Sequence, residues 1–270
     1  MKLFDSHAHY FDKRFLSEEN SKGIDFLLTE DVFGGDVCGV INVATNNSNA
    51  LRCIAQAAKY DKMYAAVGIH PEDAMNCEKS ISEEIKDLAT LLDTPRKRAE
   101  NKIVAIGEIG LDYYWEGLDR ELEKKYFRAQ LELARELDVP VIIHDREAHG
   151  DCFETVLDYP GVRGVFHSYS GSAEMALELV KRGWYISFSG VLTFKNARKS
   201  VDVARAVPMS HILIETDCPY LAPHPHRGKL NHSGLMRHTS EKLAEIKGLS
   251  VEEIGNMTCK NAEELFGIKL

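Results

Sequence analysis

His7 and His9 stand two residues apart behind the apolar lead-in Leu3-Phe4. Side chains of an extended strand alternate between faces, so both imidazoles leave the same face. Imidazole is the commonest protein metal ligand, and such a pair can grip one ion from one strand. Among eleven histidines the pair alone carries little weight. What else converges on it decides its meaning.

Four further residues have the same character. Glu108 closes the run Ile103-Val104-Ala105-Ile106-Gly107, and His144 closes Val139–Ile143. His167 follows Gly164–Phe166, and Asp217 lies just beyond Ile212-Leu213-Ile214. A titratable group ending an apolar strand is costly unless it is paired or metal-bound. Any one of the six could be a buried side chain with a satisfied hydrogen bond; six together point to metal chemistry. Four imidazoles and two carboxylates exceed what one catalytic ion with an open position takes. They suit two ions about 3.5–4 Å apart, with a bridging carboxylate and a shared hydroxide that attacks. Glu108 is the natural bridge. His7 and His9 with Asp217 would hold one ion, and His144 with His167 the other. Asp217 can also accept a proton from the attacking water, so Glu108 and Asp217 are the candidate catalytic groups. Two divalent ions are expected, their identity open among Zn, Mg and Mn; imidazole also suits Fe or Cu.

Positioning six residues from across the chain requires a particular kind of fold. Short β-branched runs read as strands over Leu3–His9, Gly39–Ala44, Tyr64–His70, Ile103–Glu108, Val139–His144, Gly164–His167, Trp184–Ser189 and Ile212–Asp217. Amphipathic stretches between and after them predict helices over Asn49–Tyr60, Ser82–Leu92, Leu118–Leu137, Glu147–Leu157, Ala173–Arg182, Asn196–Ala206, Gly234–Lys247 and Ser250–Phe266. Buried strands alternating with helices indicate a parallel sheet, and eight units predict an α/β fold, the (β/α)8 TIM barrel. In that barrel chemistry sits at the C-terminal strand ends, where all six residues fall. Pro140 stands at the start of the fifth strand, where a missing N–H is tolerable. The polar stretch Asp93–Lys102 reads as a loop and helix exit, and Ala222–His232 as a long loop after the last strand. Leu118–Leu137, with Glu121 and Lys125 four apart, reads as an amphipathic helix supported by that pair.

Composition sets the remaining bounds. A chain of 270 residues can bury about three quarters of its unfolded surface without staples. No linker or repeat interrupts it, so one domain over 1–270 is expected. Six scattered cysteines without a CxxC, and no N-terminal apolar leader, predict reduced thiols and a cytoplasmic protein. No apolar run reaches the roughly 20 residues of a membrane span. The net charge of −9 argues against a broad electrostatic grip on nucleic acid, though not against one held locally.

Several motifs together resemble the TatD family of metal-dependent deoxyribonucleases. They are Asp5-Ser6-His7-Ala8-His9, Gly68-Ile69-His70-Pro71, Ile106–Tyr113 around Glu108, Ile143–Ala148, His167–Ser172, Leu213–Pro223 and the ending Asn261–Phe266. The resemblance runs from end to end. It implies an amidohydrolase-superfamily barrel, a divalent-metal centre on the same six ligands, and hydrolysis of DNA, commonly from the 3′ end. The partner it implies is DNA, single-stranded or with free 3′ ends; no membrane and no obligate protein partner is indicated. The chain departs from the family pattern at Glu72, usually histidine, at Tyr169, usually Phe, and at His232-Ser233, where Glu-Pro is usual. These changes leave the ligands intact and touch the substrate side.

A phosphodiester gains negative charge as it reacts, so cations are sought near the ligands. Arg146, two residues beyond His144, has the fork that matches phosphate; its plainer role is a salt bridge with Glu147 or Glu108. His70 either contacts phosphate or supports a ligand. Arg227, Lys229 and Asn231 in the last loop are substrate candidates through the family resemblance, against a solvated-surface reading. Tyr113, Tyr114 and Trp115 either stack unpaired bases or pack their loop. His224 and His226 flank Pro225 in a loop and read as surface or DNA-contacting. His149, His211, His232 and His238 read as structural or exposed.

Two competitors stand beside the nuclease reading. A barrel hydrolase of another ester or amide, such as an aminoacyl-tRNA ester, would share the water activation. Many amidohydrolase cousins bridge their metals with a carbamylated lysine on strand four, and Glu108 at that position favours the TatD-like branch. A metal-free binding scaffold would be favoured by loss of a ligand, and all six are present.

Overall fold

The computed structural model describes residues 2–16 and 22–270. Its strands are β1 (Leu3–Ala8), β2 (Val37–Val43), β3 (Met63–Val67), β4 (Ile103–Asp112), β5 (Val141–Arg146), β6 (Gly164–Phe166), β7 (Tyr185–Phe188) and β8 (Ile212–Ile214). They follow chain order in one sheet, with helical segments in the connections, which is the plan of a (β/α)8 barrel. Val141, Ile142 and Ile143 of β5 and Ile212 and Ile214 of β8 are fully buried. Such strands covered on both faces belong to a parallel sheet.

The chain divides into two compact units, Met1–Asn42 with His167–Leu270, and Val43–Phe166. In the first, β1 pairs with β2 and β7 with β8, all parallel. β8 reaches β1 through its extension: Ala8 bridges Cys218, His9 N–H donates to Cys218 O (2.7 Å) and Asp217 N–H to His7 O (2.9 Å). In the second unit β3, β4, β5 and β6 pair in sequence.

Helix starts follow side-chain chemistry. Asn46 Oδ1 accepts from Asn49 N–H at the head of Asn47–Lys59, and Asp119 Oδ1 accepts from Glu121 and Leu122 N–H at the head of Arg120–Leu137. Ser80 with Glu83 and Ser250 with Glu253 form capping boxes. Two expectations are corrected. Asp93–Lys102 is more than a loop: Pro95–Glu100 is helical, because Thr94 caps it and proline at its first position has no N–H to lose. In the helix Arg120–Leu137, Glu121 is met by Lys124 (3.5 Å), one residue before the expected Lys125. The sequence reading placed no element between β1 and β2, where a helical stretch runs from Ile24 to Val32, wound in π-type turns over Leu27–Val32.

Candidate functional site

Each unit gathers one cluster of metal-ligating groups at the carboxyl ends of its strands. In the first unit His7 and His9 leave the same face of β1, as alternation requires, and both are buried. Their Nε2 atoms lie 3.0 Å apart. Asp217 Oδ1 stands 3.3 Å from His9 Nε2 and 3.8 Å from His7 Nε2. Burial raises the Asp217 carboxyl, but the hydrogen bond from His9 and the charges of His9, His167 and His7 outweigh it and hold the pKa below the usual carboxylate value. Asp217 adopts φ 54°, a left-handed backbone that aspartate tolerates better than most residues. The His167 ring stacks on His7, centroids 4.0 Å apart, and its Nδ1 lies 3.2 Å from Glu215 Oε1.

Asp5 ties this cluster to the fold. Its Oδ1 accepts from His7 N–H and Thr216 N–H, and its Oδ2 from the Thr216 hydroxyl (2.6 Å). Burial lifts its pKa to about 7, hydrogen bonds from Ser233, Thr216 and the His7 backbone opposing the rise.

In the second unit His144 Nδ1 lies 2.7 Å from Glu108 Oε1 and its Nε2 lies 3.0 Å from Asp112 Oδ2. An imidazole that donates one N–H to a carboxylate keeps the other nitrogen as a lone pair. Both ring nitrogens of His144 thus face a carboxylate, and with a cation beside Glu108 the proton would sit on Nε2, toward Asp112. Asp112 is raised by burial, yet the His144 hydrogen bond and charge, Tyr114 N–H and Arg146 bring its pKa below the usual value. His70 Nε2 stands 3.6 Å from Glu108 Oε1. Glu72 N–H donates to His70 Nδ1 (3.1 Å), so the neutral ring carries its proton on Nε2. His70 thus presents an N–H rather than a lone pair, which suits a phosphate oxygen better than a metal.

Elements beyond the strands set these positions. Gly110 on β4 has φ 143°, and a Cβ there would fall 1.9 Å from His144 O, so only glycine lets β4 approach β5 at this level. From the helix Arg120–Leu137, Gln130 accepts from Ile69 N–H (2.7 Å) and donates to Ile69 O (3.0 Å), holding the residue before His70. Glu123 Oε2 on the same helix accepts from Asp112 N–H (3.0 Å).

The donor set fits a cation. Donor atoms of His7, His167 and Glu215 lie within 4.8 Å of one another, and in the second unit Glu108 Oε1 and His144 Nδ1 stand 2.7 Å apart. The Glu215 Oε2 atom is buried without a hydrogen-bond partner, a condition a nearby cation would relieve. Sequence reasoning did not single out Asp5, Asp112 or Glu215. The signal was present: Glu215 and Asp217 are two apart after β8, and Asp112 is four after Glu108.

Comparison with known proteins decides the family. The model described as "TatD related DNase" matches residues 4–267. The chain belongs to the TatD family of metal-dependent hydrolases. It is 38% identical to the uncharacterized metal-dependent hydrolase YabD of Bacillus subtilis, covering 98% of this chain and 99% of that one. It is 36% identical to the uncharacterized metal-dependent hydrolase YcfH of Escherichia coli K12, covering 99% and 97%. The crystal structure of the TatD homologue YJJV of Escherichia coli K12 superposes with a TM-score of 0.87 at 29% identity, over 99% of this chain and 98% of that one.

The substrate-side candidates of this TatD-family chain take different places. Arg227 and Lys229 line a cleft of about 1000 Å³ in the first unit, with Arg14, Lys22 and Tyr220. Arg227 rests on the Phe194 ring (4.1 Å) and Arg14 on the Tyr220 ring (3.9 Å). Asn231 is fully buried. Its amide donates to Thr216 O and Tyr220 O, bracing the segment that carries Asp217. Tyr113 also braces: its hydroxyl donates to Asp151 (2.6 Å) and Arg120 covers its ring. Arg146 lies over the Tyr114 ring (3.8 Å). His224 N–H donates to the Thr193 hydroxyl, and His226 lies against His238.

Proposed function

We propose that this chain is a metal-dependent deoxyribonuclease that hydrolyses phosphodiester bonds from the 3′ end of single-stranded DNA. The observation that carries the reading is the pair of buried imidazole–carboxylate clusters, in which Asp112 and Glu215 orient histidines the way metal-site carboxylates do. Both clusters lie at carboxyl strand ends, where this fold carries its chemistry. On this reading His7, His9, Glu108, His144, His167 and Asp217 would hold divalent ions, two of them, Zn, Mg or Mn. Such ions, when bound, acidify water and polarise a phosphoryl oxygen. The chain supplies the rest. Asp217, held ionised by its histidine neighbours, takes the proton of the attacking water. His70 Nε2–H points an uncharged donor at a non-bridging oxygen. Arg227 and Lys229 in the cleft meet the flanking phosphates, locally reversing the net charge of −9.

A family model that spans 4–267 supports one catalytic domain, and six free thiols suit a reducing cytoplasm. No helix among the described residues is long and apolar enough to cross a membrane.

The test follows 3′- and 5′-labelled single-stranded DNA with Mg or Mn, with and without chelator, for wild type and Glu108→Ala. Chelator-sensitive release of mononucleotides from the 3′ end is expected, lost in Glu108→Ala with the fold retained. Intact DNA under metals shown to bind, or a larger kcat/KM on an aminoacyl ester, overturns the proposal.

A further inference from the structure

The loop that follows β4 spends one of its three aromatic residues on packing and leaves two at the surface. Tyr113 is fixed by Asp151 and Arg120. Tyr114 and Trp115 keep 52% and 49% of their surface exposed, among the most exposed large apolar side chains of the described chain. Rings that only packed the loop would be buried; two adjacent exposed rings mark a contact surface.

Their arrangement is ordered. The two rings meet edge to face, centroids 4.9 Å apart at 84°. The Arg146 guanidinium lies 3.8 Å from the Tyr114 centroid and 5.4 Å from that of Trp115. Trp115 is anchored from a distant part of the chain, its indole N–H donating to Glu72 Oε1 (2.8 Å). Tyr114 N–H donates to Asp112 Oδ1 (3.0 Å), while Asp112 Oδ2 holds His144. One carboxylate therefore joins the aromatic corner to the donor cluster of the second unit.

We propose that Tyr114, Trp115 and Arg146 form a stacking platform for an unpaired nucleobase of the substrate strand, and that Glu72 positions Trp115 within it. The inference rests on the nuclease reading and names what that site recognises beyond phosphate. Every base offers a π face, so the platform binds without regard to sequence but requires the base to be unpaired. Arg146 serves it twice, as a planar stacking partner and as a cation for the adjoining phosphate. Pinning Trp115 beforehand removes part of the ordering cost of binding.

The protein itself carries the reporter. It has two tryptophans, and Trp184 is buried, so a ligand at the platform changes the emission of Trp115. Full-length protein is titrated in chelator with a ten-nucleotide oligothymidylate and with an abasic strand of equal length. The oligothymidylate is expected to quench emission saturably, the abasic strand to bind about tenfold more weakly, and Trp115→Phe to lose the response. In turnover, Trp115→Ala and Glu72→Ala lower the ratio of kcat/KM on single-stranded DNA to that on bis-p-nitrophenyl phosphate, which has no base, by about tenfold. Glu72→Gln, which keeps an acceptor oxygen, restores the ratio. Equal affinity for the two strands, or a ratio unmoved by Trp115→Ala in an enzyme that cleaves DNA, overturns the platform and leaves the nuclease reading intact. Base-dependent quenching by a protein that cleaves no DNA overturns the nuclease reading alone.

Discussion

His144 is gripped from both sides, and the two grips do different work. Glu108 lies where a cation bound at Nδ1 would sit, whereas Asp112, fully buried, faces the other ring nitrogen and would take its proton when a cation is bound. Removing such an orienting carboxylate typically costs 10–100-fold in metal affinity or activity. Asp112→Ala is therefore expected to weaken Mn binding by about that factor, measured by calorimetry, with a parallel loss in kcat/KM. Wild-type affinity in the variant would separate Asp112 from the site. His232 shows the opposite balance. Burial pushes its pKa below the usual 6.5, Asp31 opposing and His226 adding to the fall, and its Nδ1 has no hydrogen-bond partner. Between its lowered folded value and 6.5 the unfolded chain binds the extra proton. Stability contributed by this group thus declines as pH drops through that window and is level above it. His232→Gln, which does not titrate, is therefore expected to lose less stability than wild type between pH 7 and pH 5. Urea midpoints at the two pH values check it; equal losses would remove His232 from the acid response.

At the scale of elements, the helix Arg120–Leu137 does more than cover the sheet. Its two buried polar residues reach past the apolar stripe, Gln130 to both backbone groups of Ile69 and Glu123 to Asp112 N–H. Gln130→Ala leaves a buried N–H and C=O unpaired, which costs roughly 1–3 kcal/mol for each group left without a partner. A melting temperature lowered by several degrees is expected, together with a KM raised more than kcat is lowered, because His70 loses its support. An unchanged KM would confine Gln130 to stability. The same helix shows how far the sequence could be read. Its amphipathic period gave its span to within two residues, and the apolar runs gave all eight strands, although β4 runs on past Glu108 to Asp112. Those signals are local and periodic. Gln130, Glu123, Asp112 and Glu215 are polar residues on buried faces, whose partners lie 11 to 61 residues away, and no spacing rule connects them. Asn231 illustrates the same gap: chemically it suited a substrate contact, yet its amide is spent on Thr216 O and Tyr220 O. Pro95–Glu100 was hidden by its charge, since a short polar helix has no apolar stripe to announce it.

For the whole molecule the question is how an acidic chain, with a net charge of −9, would hold the polyanion proposed as its substrate. Long-range attraction is absent, so association is not accelerated by the global field. The cations that remain are local: Arg227 and Lys229 with Arg14 and Lys22 along one cleft, Arg14 being partly neutralised by Asp12 at 3.0 Å. For single strands each neutralised phosphate contributes about −0.7 to the slope of log K against log salt, so two to four contacts give roughly −1.4 to −2.8. A slope of kcat/KM with NaCl in that range is expected for wild type, with Arg227→Ala and Lys229→Ala each reducing its magnitude by about 0.7. Both variants should weaken binding alike on all sequences, since phosphate contacts position the strand without reading it. A slope that neither substitution alters would place the backbone of the substrate outside this cleft, and the DNA would then have to be held by the metal clusters and the Tyr114–Trp115 corner alone.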